Sequence, residues 1–214
     1  MTIVIINPNS TAAMTDAMVN AARQIAPDLP FEGWTSHDGP PSIQGADDGA
    51  LAAPPLLRLI ANAHEHGATG IIVGCFDDTA MAEGAAIAEV PLIGIGQASF
   101  HFCALRQWRF SVVTTMAVSV PVIKDNIAAY GLSGSCARVR ASDVPVLDLE
   151  RSPEAALAPI LQQAHAAIEE DGAGAIVLGC AGMVNVTRAV REALHIPVID
   201  PVEAAVGCMR WMLD

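Results

Sequence analysis

Residues 67–75 read Gly-Ala-Thr-Gly-Ile-Ile-Val-Gly-Cys, and residues 172–180 read Gly-Ala-Gly-Ala-Ile-Val-Leu-Gly-Cys. Five of the nine positions are identical, at an offset of 105 residues. Each copy is a short apolar run bounded by glycine, the pattern of a strand buried on both faces of a parallel sheet. A helical stretch and then a hydrophobic-Pro step, Val90-Pro91 or Ile196-Pro197, follow each copy. The strand and turn at Ile3 to Asn9 match those at Phe110 to Met116 at nearly the same offset, so Asn7 pairs with Thr114 and Cys75 with Cys180.

Outward from these runs, strands are expected at Ile3–Ile6, Phe31–Thr35, Leu92–Gly94, Ala137–Arg140 and Val198-Ile199. Helices are expected from Ala12, at Leu56–His66, Met81–Glu89 and Gln97–Arg106, and from the Thr114-Thr115 turn to Tyr130. Further helices are expected at Pro153–Asp171, broken or kinked near Pro159, at Val184–Leu194 and at Val202–Leu213. Ser36–Pro55 is rich in Gly, Pro and Asp and reads as a long loop, long enough to suggest a function. The alternation predicts an α/β fold of two similar halves with parallel sheets, packed about a pseudo-twofold axis. The expected division is residues 1–96 plus 200–214 for the half with Cys75, and residues 97–199 for the half with Cys180.

Ligands of open α/β sheets bind beyond the carboxyl ends of the strands. Cys75 and Cys180 both sit at such ends, each just before an expected helix. In facing halves the two thiols meet in the cleft between them. A free thiol has a pKa of about 8.5, and a helix N-terminus lowers it. A thiolate on one face of a substrate removes a proton from carbon, and a thiol on the other face returns one. The outcome is inversion at that carbon, which needs no driving force because enantiomers have equal free energy. The carbon must lie beside a carbonyl, whose developing enolate needs hydrogen bonds. Backbone N–H groups at Thr114-Thr115, Gly182-Met183 and the turn from Phe76 to Thr79 are candidate donors. Helix capping is the competing role for Thr79, Thr114 and Thr115.

Composition narrows the class. The 214 residues carry 11 Lys and Arg against 23 Asp and Glu, a formal charge of −12. That balance argues against nucleic acid and against anionic membrane surfaces as partners. Hydrophobic residues make up 52% and aromatics only 4%, so the expected core is Ala, Val, Ile and Leu. No apolar run has the length of a membrane-spanning helix, and MTIVIINPNST carries no basic stretch or cleavage-type site. Five cysteines without a CxxC pair read as reduced thiols in a cytoplasmic protein. Cys103, Cys136 and Cys208 read as small buried hydrophobes.

Other motifs carry less. Gly94-Ile-Gly96-Gln-Ala-Ser99 matches a dinucleotide loop only loosely and lacks a placed acid for a ribose. His64 and His66 are two apart, on different helix faces, so no zinc site is expected. His37 and His101 read as solvated loop or satisfied core. Asp77 and Asp78 follow Cys75 and would oppose thiolate formation, so helix capping is their expected role. Asp47 and Asp48 are expected to cap a helix or stay solvated.

INPNST at Ile6–Thr11, GPPSIQG at Gly39–Gly45, GCFDD from Gly74 and GCAGM from Gly179 together resemble the Asp/Glu/hydantoin racemase superfamily. Within it, the likeness is to hydantoin racemases, including allantoin racemases, and covers essentially the whole chain. The resemblance implies two Rossmann-like halves, a cofactor-independent two-cysteine mechanism and a homo-oligomer. By the same resemblance Cys75 and Cys180 are the acid/base pair, and Asn9, Ile43, Phe76, Thr115, Gly182 and Met183 line the pocket. Three positions depart from the pattern. Gln44 stands where the loop usually carries Glu, and Asn7 and Ala181 stand where amino-acid racemases tend to have an acid and a Thr. Fewer charged partners suit a neutral ring better than a zwitterionic amino acid, so hydantoin-type substrates are expected over glutamate or aspartate. Alternatives are a maleate-type cis–trans isomerase, an Asp/Glu racemase, and a thiol redox sensor or small-molecule binding module without turnover.

Overall fold

The computed structural model describes residues 2–214. Its first sheet holds β1 (Thr2–Asn7), β2 (Phe31–Thr35), β3 (Ala68–Val73) and β4 (Leu92–Gly94) in the order β2-β1-β3-β4. The second holds β5 (Phe110–Thr114), β6 (Cys136–Ala141), β7 (Ala175–Gly179) and β8 (Val198–Ile199) in the order β6-β5-β7-β8. All pairings are parallel. The two orders are the same, so the sequence repeat is also a repeat of topology. Asn7 and Thr114 end matched central strands, and Gly74-Cys75 and Gly179-Cys180 leave the other matched pair.

The helices are α1 (Ala12–Ile25), α2 (Ala46–Ala63), α3 (Met81–Ile87), α4 (Ile95–Leu105), α5 (Val120–Ala129), α6 (Asp148–Arg151), α7 (Pro153–Glu169), α8 (Thr187–Ala193) and α9 (Pro201–Leu213). Strand side chains alternate between faces. Ile3, Ile5 and Ile72 of the first sheet share one apolar cluster with Val112 and Val177 of the second, joined by Met18 of α1, Ala98 of α4 and Val206 of α9. The opposite strand faces are covered separately. Leu56 and Ile60 of α2 cover Val4, Ile6 and Ile71, whereas Ile160 of α7 and Val190 of α8 cover Val113, Ile176 and Leu178. Four of the five phenylalanines lie in the shared core, and three of them pack on one another. Phe76 packs edge-on against Phe100 at 5.4 Å between centroids, and Phe100 stacks on Phe110 at 5.8 Å. Aromatic pairs of this geometry stabilise beyond their buried area.

After β8 the chain returns to the first sheet through α9. Asp200 caps that helix, accepting from the N–H groups of Val202 at 2.9 Å and Glu203 at 3.0 Å, and Pro201 fits the first turn. Met209 of α9 lies so close to Gly70 of β3 that a Cβ there would sit 2.5 Å from its sulfur.

Four expectations are corrected. The stretch to Pro55 is not all loop, because α2 begins at Ala46 and passes through Pro54 and Pro55. The buried stripe of Ala52, Pro55, Leu56, Ile60 and Ala63 outweighs the hydrogen bonds the prolines remove, and proline's φ is already helical. Asp48 supports the first turn, its carboxylate accepting from the Gln44 N–H at 2.9 Å. The α7 helix runs unbroken past Pro159 for the same reason, with Ala156, Ile160, Ala164 and Ala167 buried on one side. The helix expected from Val184 divides into a 3-10 turn at Ala181–Asn185 and α8. Cys75 does not directly precede a helix, since α3 starts only at Met81. The turn between them holds Asp78 at φ 46° and Ala80 at φ 52°, in the left-handed region that side chains disfavour.

Candidate active site

Cys75 and Cys180 line one cavity at the carboxyl ends of the central strands. Asn9, Ile43, Phe76 and Thr115 line it too, as do Met14, Asp77, Ser119 and Val146. Its volume is about 20 Å³, room for a water molecule. Thr79, Thr114, Gly182 and Met183 stand behind the wall. The Thr114 hydroxyl donates to the Gly179 carbonyl at 2.9 Å, which fixes β5 against β7 rather than facing a ligand.

The remaining three serve the sulfurs. The Thr79 hydroxyl donates to Cys75 Sγ at 3.5 Å, and the backbone N–H of Asp77 also reaches that sulfur. The backbone N–H groups of Gly182 and Met183 reach the Cys180 sulfur. Thus in each copy of the repeat the N–H two residues after the cysteine points at its sulfur. The Met183 N–H also donates to the Cys180 carbonyl at 3.1 Å, closing the 3-10 turn, so it is not free for an enolate.

Helix termini do not lower the thiol pKa values as the sequence suggested. Burial dominates and pushes the Cys75 thiol well up, with the Asp77 carboxylate adding to the rise and the Thr79 hydroxyl opposing it. Burial likewise pushes Cys180 up to about 12, against the Gly182 N–H. Cys180 adds to the rise of Cys75 from across the cavity. The resting pair is therefore two neutral thiols, and donors aimed at sulfur reduce the cost of ionising one of them.

Asn9 is built into the wall by its neighbours. Its Oδ1 accepts from the Thr11 N–H at 2.9 Å and from Asn7 Nδ2 at 3.0 Å. Those two bonds fix the amide orientation and leave Nδ2 against Met14 Sδ at 3.6 Å, a weak acceptor. Asn9 Nδ2 is thus an N–H₂ group on the cavity wall with donor capacity to spare.

Sequence reasoning gave Asp77 and Asp78 one role, and the structure separates them. The Asp78 carboxylate accepts from the Gly96 N–H at 3.1 Å and from the Tyr130 hydroxyl at 3.0 Å. It caps α4, a different helix from the one it precedes, and burial pushes its pKa up to about 7. A Cβ on Gly96 would sit 2.7 Å from Asp78 Oδ2, so the loosely dinucleotide-like glycines make room for the protein's own carboxylate. Asp77 instead faces the cavity. Its adjacency to Cys75 was the signal in the sequence.

Two connections cover the cavity, residues 36–45 between β2 and α2 and residues 142–147 between β6 and α6. Gln44 Oε1 accepts from the Val146 N–H at 3.1 Å, joining them above Ile43 and Val146. Gly45, at φ +86°, crosses so close to Val118 that a Cβ would sit 2.8 Å from its carbonyl oxygen. Among the described residues, no group of three His, Cys, Asp or Glu is placed to hold a metal ion, and no helix is long and apolar enough to cross a membrane.

The family model for Asp/Glu/hydantoin racemase matches residues 3–209. A hydantoin racemase of Rhizobium meliloti is 40% identical over all of this chain and 89% of its own. Among solved structures, an allantoin racemase from Klebsiella pneumoniae superposes with TM-score 0.93 at 36% identity, covering 100% of this chain and 87% of that one. The allantoin racemase of Pseudomonas fluorescens gives 0.94 at 33% identity, covering 100% and 91%. Such relatives are isomerases, and with two matched sheets and one cavity between their strand ends, this chain belongs to the Asp/Glu/hydantoin racemase family.

Proposed function

We propose that the protein is a cofactor-independent racemase that inverts C5 of 5-substituted hydantoins or allantoin, with Cys75 and Cys180 as the acid/base pair. The observation that carries the reading is the placement of both cysteines on one cavity, each with hydrogen-bond donors at its sulfur. The 40% identity to a hydantoin racemase supports the substrate class. One sulfur, as thiolate, takes the C5 proton, and the opposite thiol delivers a proton to the other face. The roles exchange for the other enantiomer. Asn9 Nδ2 donates to the carbonyl oxygen as negative charge develops there. Thr79, Gly182 and Met183 act through the sulfurs, Thr114 through β5 and β7, and Ile43, Phe76 and Thr115 shape the pocket.

A five-membered ring does not fit in 20 Å³, so entry parts the two covering connections and breaks the Gln44–Val146 bond. Residues 1–96 with 200–214, and residues 97–199, are then the two bodies that each bring one thiol. The five unpaired cysteines fit a reducing, cytoplasmic setting. Leu105 of α4 and Trp211 of α9, 72% and 75% exposed, offer a face for the homo-oligomer.

The test is loss of optical rotation by an enantiopure 5-substituted hydantoin, with deuterium gained at C5 in D₂O. Cys75→Ser and Cys180→Ser should each abolish two-way racemisation. Full activity in either variant overturns the assignment. A peroxide-induced Cys75–Cys180 disulfide without any turnover would favour a redox sensor instead.

A further inference from the structure

Asp77 is the part of the cavity that the thiol chemistry leaves unexplained. Among the residues that line the cavity it is the sole carboxylate, and none of the others is Lys, Arg or His. Its position is set mainly through the backbone. The Asp77 carbonyl accepts from Asn126 Nδ2 at 2.7 Å, which ties the turn after Cys75 to α5. The carboxylate itself is lightly held. Ser119 Oγ donates to Oδ2 at a long 3.4 Å, and the Gly45 N–H approaches from the covering connection. A carboxylate offers about four acceptor sites, so capacity remains towards the cavity.

The surroundings would permit a different arrangement if Asp77 were only a structural tie. Asp78 makes the helix-capping contacts, and a serine or asparagine would serve the Ser119 and Gly45 contacts without placing a charge near two thiols. The charge has a cost that the thiols register, since Asp77 raises both of them. What an acceptor-only group does on a cavity wall is select. A neutral ring with amide N–H groups donates to it. A ligand with its own carboxylate meets like charge, with no cation on the wall to offset it.

We propose that Asp77 determines specificity: its carboxylate accepts an N–H of a neutral cyclic amide or ureide and turns away ligands that carry a carboxylate. The proposal rests on the ring-racemase reading and names the group that selects its substrate class. Burial pushes the Asp77 pKa up to about 6, so the acceptor is charged above that pH.

Calorimetric titration at about pH 7.5 tests this with ligands that cannot turn over. The probes are 5,5-dimethylhydantoin, which lacks a C5 proton, its N1- and N3-methyl derivatives, and maleate. The wild type should bind the parent ring, bind at least one methyl derivative roughly tenfold more weakly, and show no maleate binding. Asp77→Asn keeps an acceptor and removes the charge, so the ring should bind within about threefold of wild type while maleate gains at least about tenfold. Asp77→Ala should weaken the parent ring roughly tenfold and bring its methyl derivatives to within about twofold of it. Thermal melts confirm that the variants fold, and the isosteric Asn variant stands alone if the Ala variant does not. Undiminished discrimination in Asp77→Ala, or maleate exclusion by folded Asp77→Asn, overturns the proposal. Ring binding governed by Asp77 without racemisation overturns the proposed activity alone. Racemisation with selection indifferent to Asp77 overturns this inference alone, and a wild type that binds no ring overturns both.

Discussion

Two cysteines in matched positions were legible in the sequence, but their ionisation was not. Position just before an expected helix suggested a lowered pKa, whereas in the fold Cys180 is buried and Cys75 half-buried, and desolvation raises both. Burial is a property of everything that covers the cavity, including Ile43 and Val146, and Val146 is bonded to Gln44 across 102 residues of sequence. The consequence is a pH dependence of definite sign. Activity needs one thiolate, so the proposed racemase should gain close to tenfold in kcat/KM per pH unit between about pH 7 and pH 9. An initial-rate profile measures this, and a flat profile would remove the thiols from the rate-determining proton transfer. The Thr79 hydroxyl favours the Cys75 thiolate, so Thr79→Val should lower the rate across that range without moving Cys180.

Strand positions were read well because apolar runs such as Ile71–Val73 and Ile176–Leu178 are unbroken by polar residues and too short for helices. The start of α2 was missed because its glycine, prolines and aspartates are turn formers locally, and only the buried stripe against the first sheet makes them helical. That helix fixes where the preceding connection ends, and so where Gln44 meets Val146. Leu at position 44 cannot accept the Val146 N–H. Gln44→Leu should therefore loosen the cover, and iodoacetamide should alkylate Cys75 and Cys180 several-fold faster than in the wild type. Gln44→Glu keeps an acceptor and should react at close to the wild-type rate. Mass-spectrometric mapping of the labelled peptides separates these sites from Cys103, Cys136 and Cys208.

At the level of the whole molecule, the duplication was visible but the single core joining its copies was not. Phe76, Phe100 and Phe110 lie far apart in the sequence, and nothing local announces that they stack between the sheets. The same region holds Asp78, bonded to Gly96 at the start of α4 and to Tyr130 beyond α5. Its folded pKa of about 7, and that of Asp77 at about 6, exceed the ordinary 3.8. The folded state therefore binds more protons than the unfolded state between about pH 4 and pH 7, and these groups make stability fall as pH rises through that window. Asp171 acts in the opposite sense lower down. The Arg140 guanidinium beside it holds its pKa below the usual value, so that contribution is lost as pH falls. Melting temperatures between about pH 5 and pH 8 should decline in the wild type and decline less in Asp78→Asn, which cannot ionise.

The two halves of the repeat are alike in topology and unlike at the sulfur. Cys75 receives a hydroxyl and one N–H beside a carboxylate, and Cys180 receives two N–H groups at a 3-10 turn. For an interconversion of mirror images the equilibrium constant is one, and microscopic reversibility then forces kcat/KM to be the same in both directions. The left–right inequality of the protein can only surface as turnover number and half-saturation that differ between enantiomers by one common factor. The hand that binds more tightly is consumed more slowly, a kinetic chirality written by the protein onto a thermodynamically symmetric reaction.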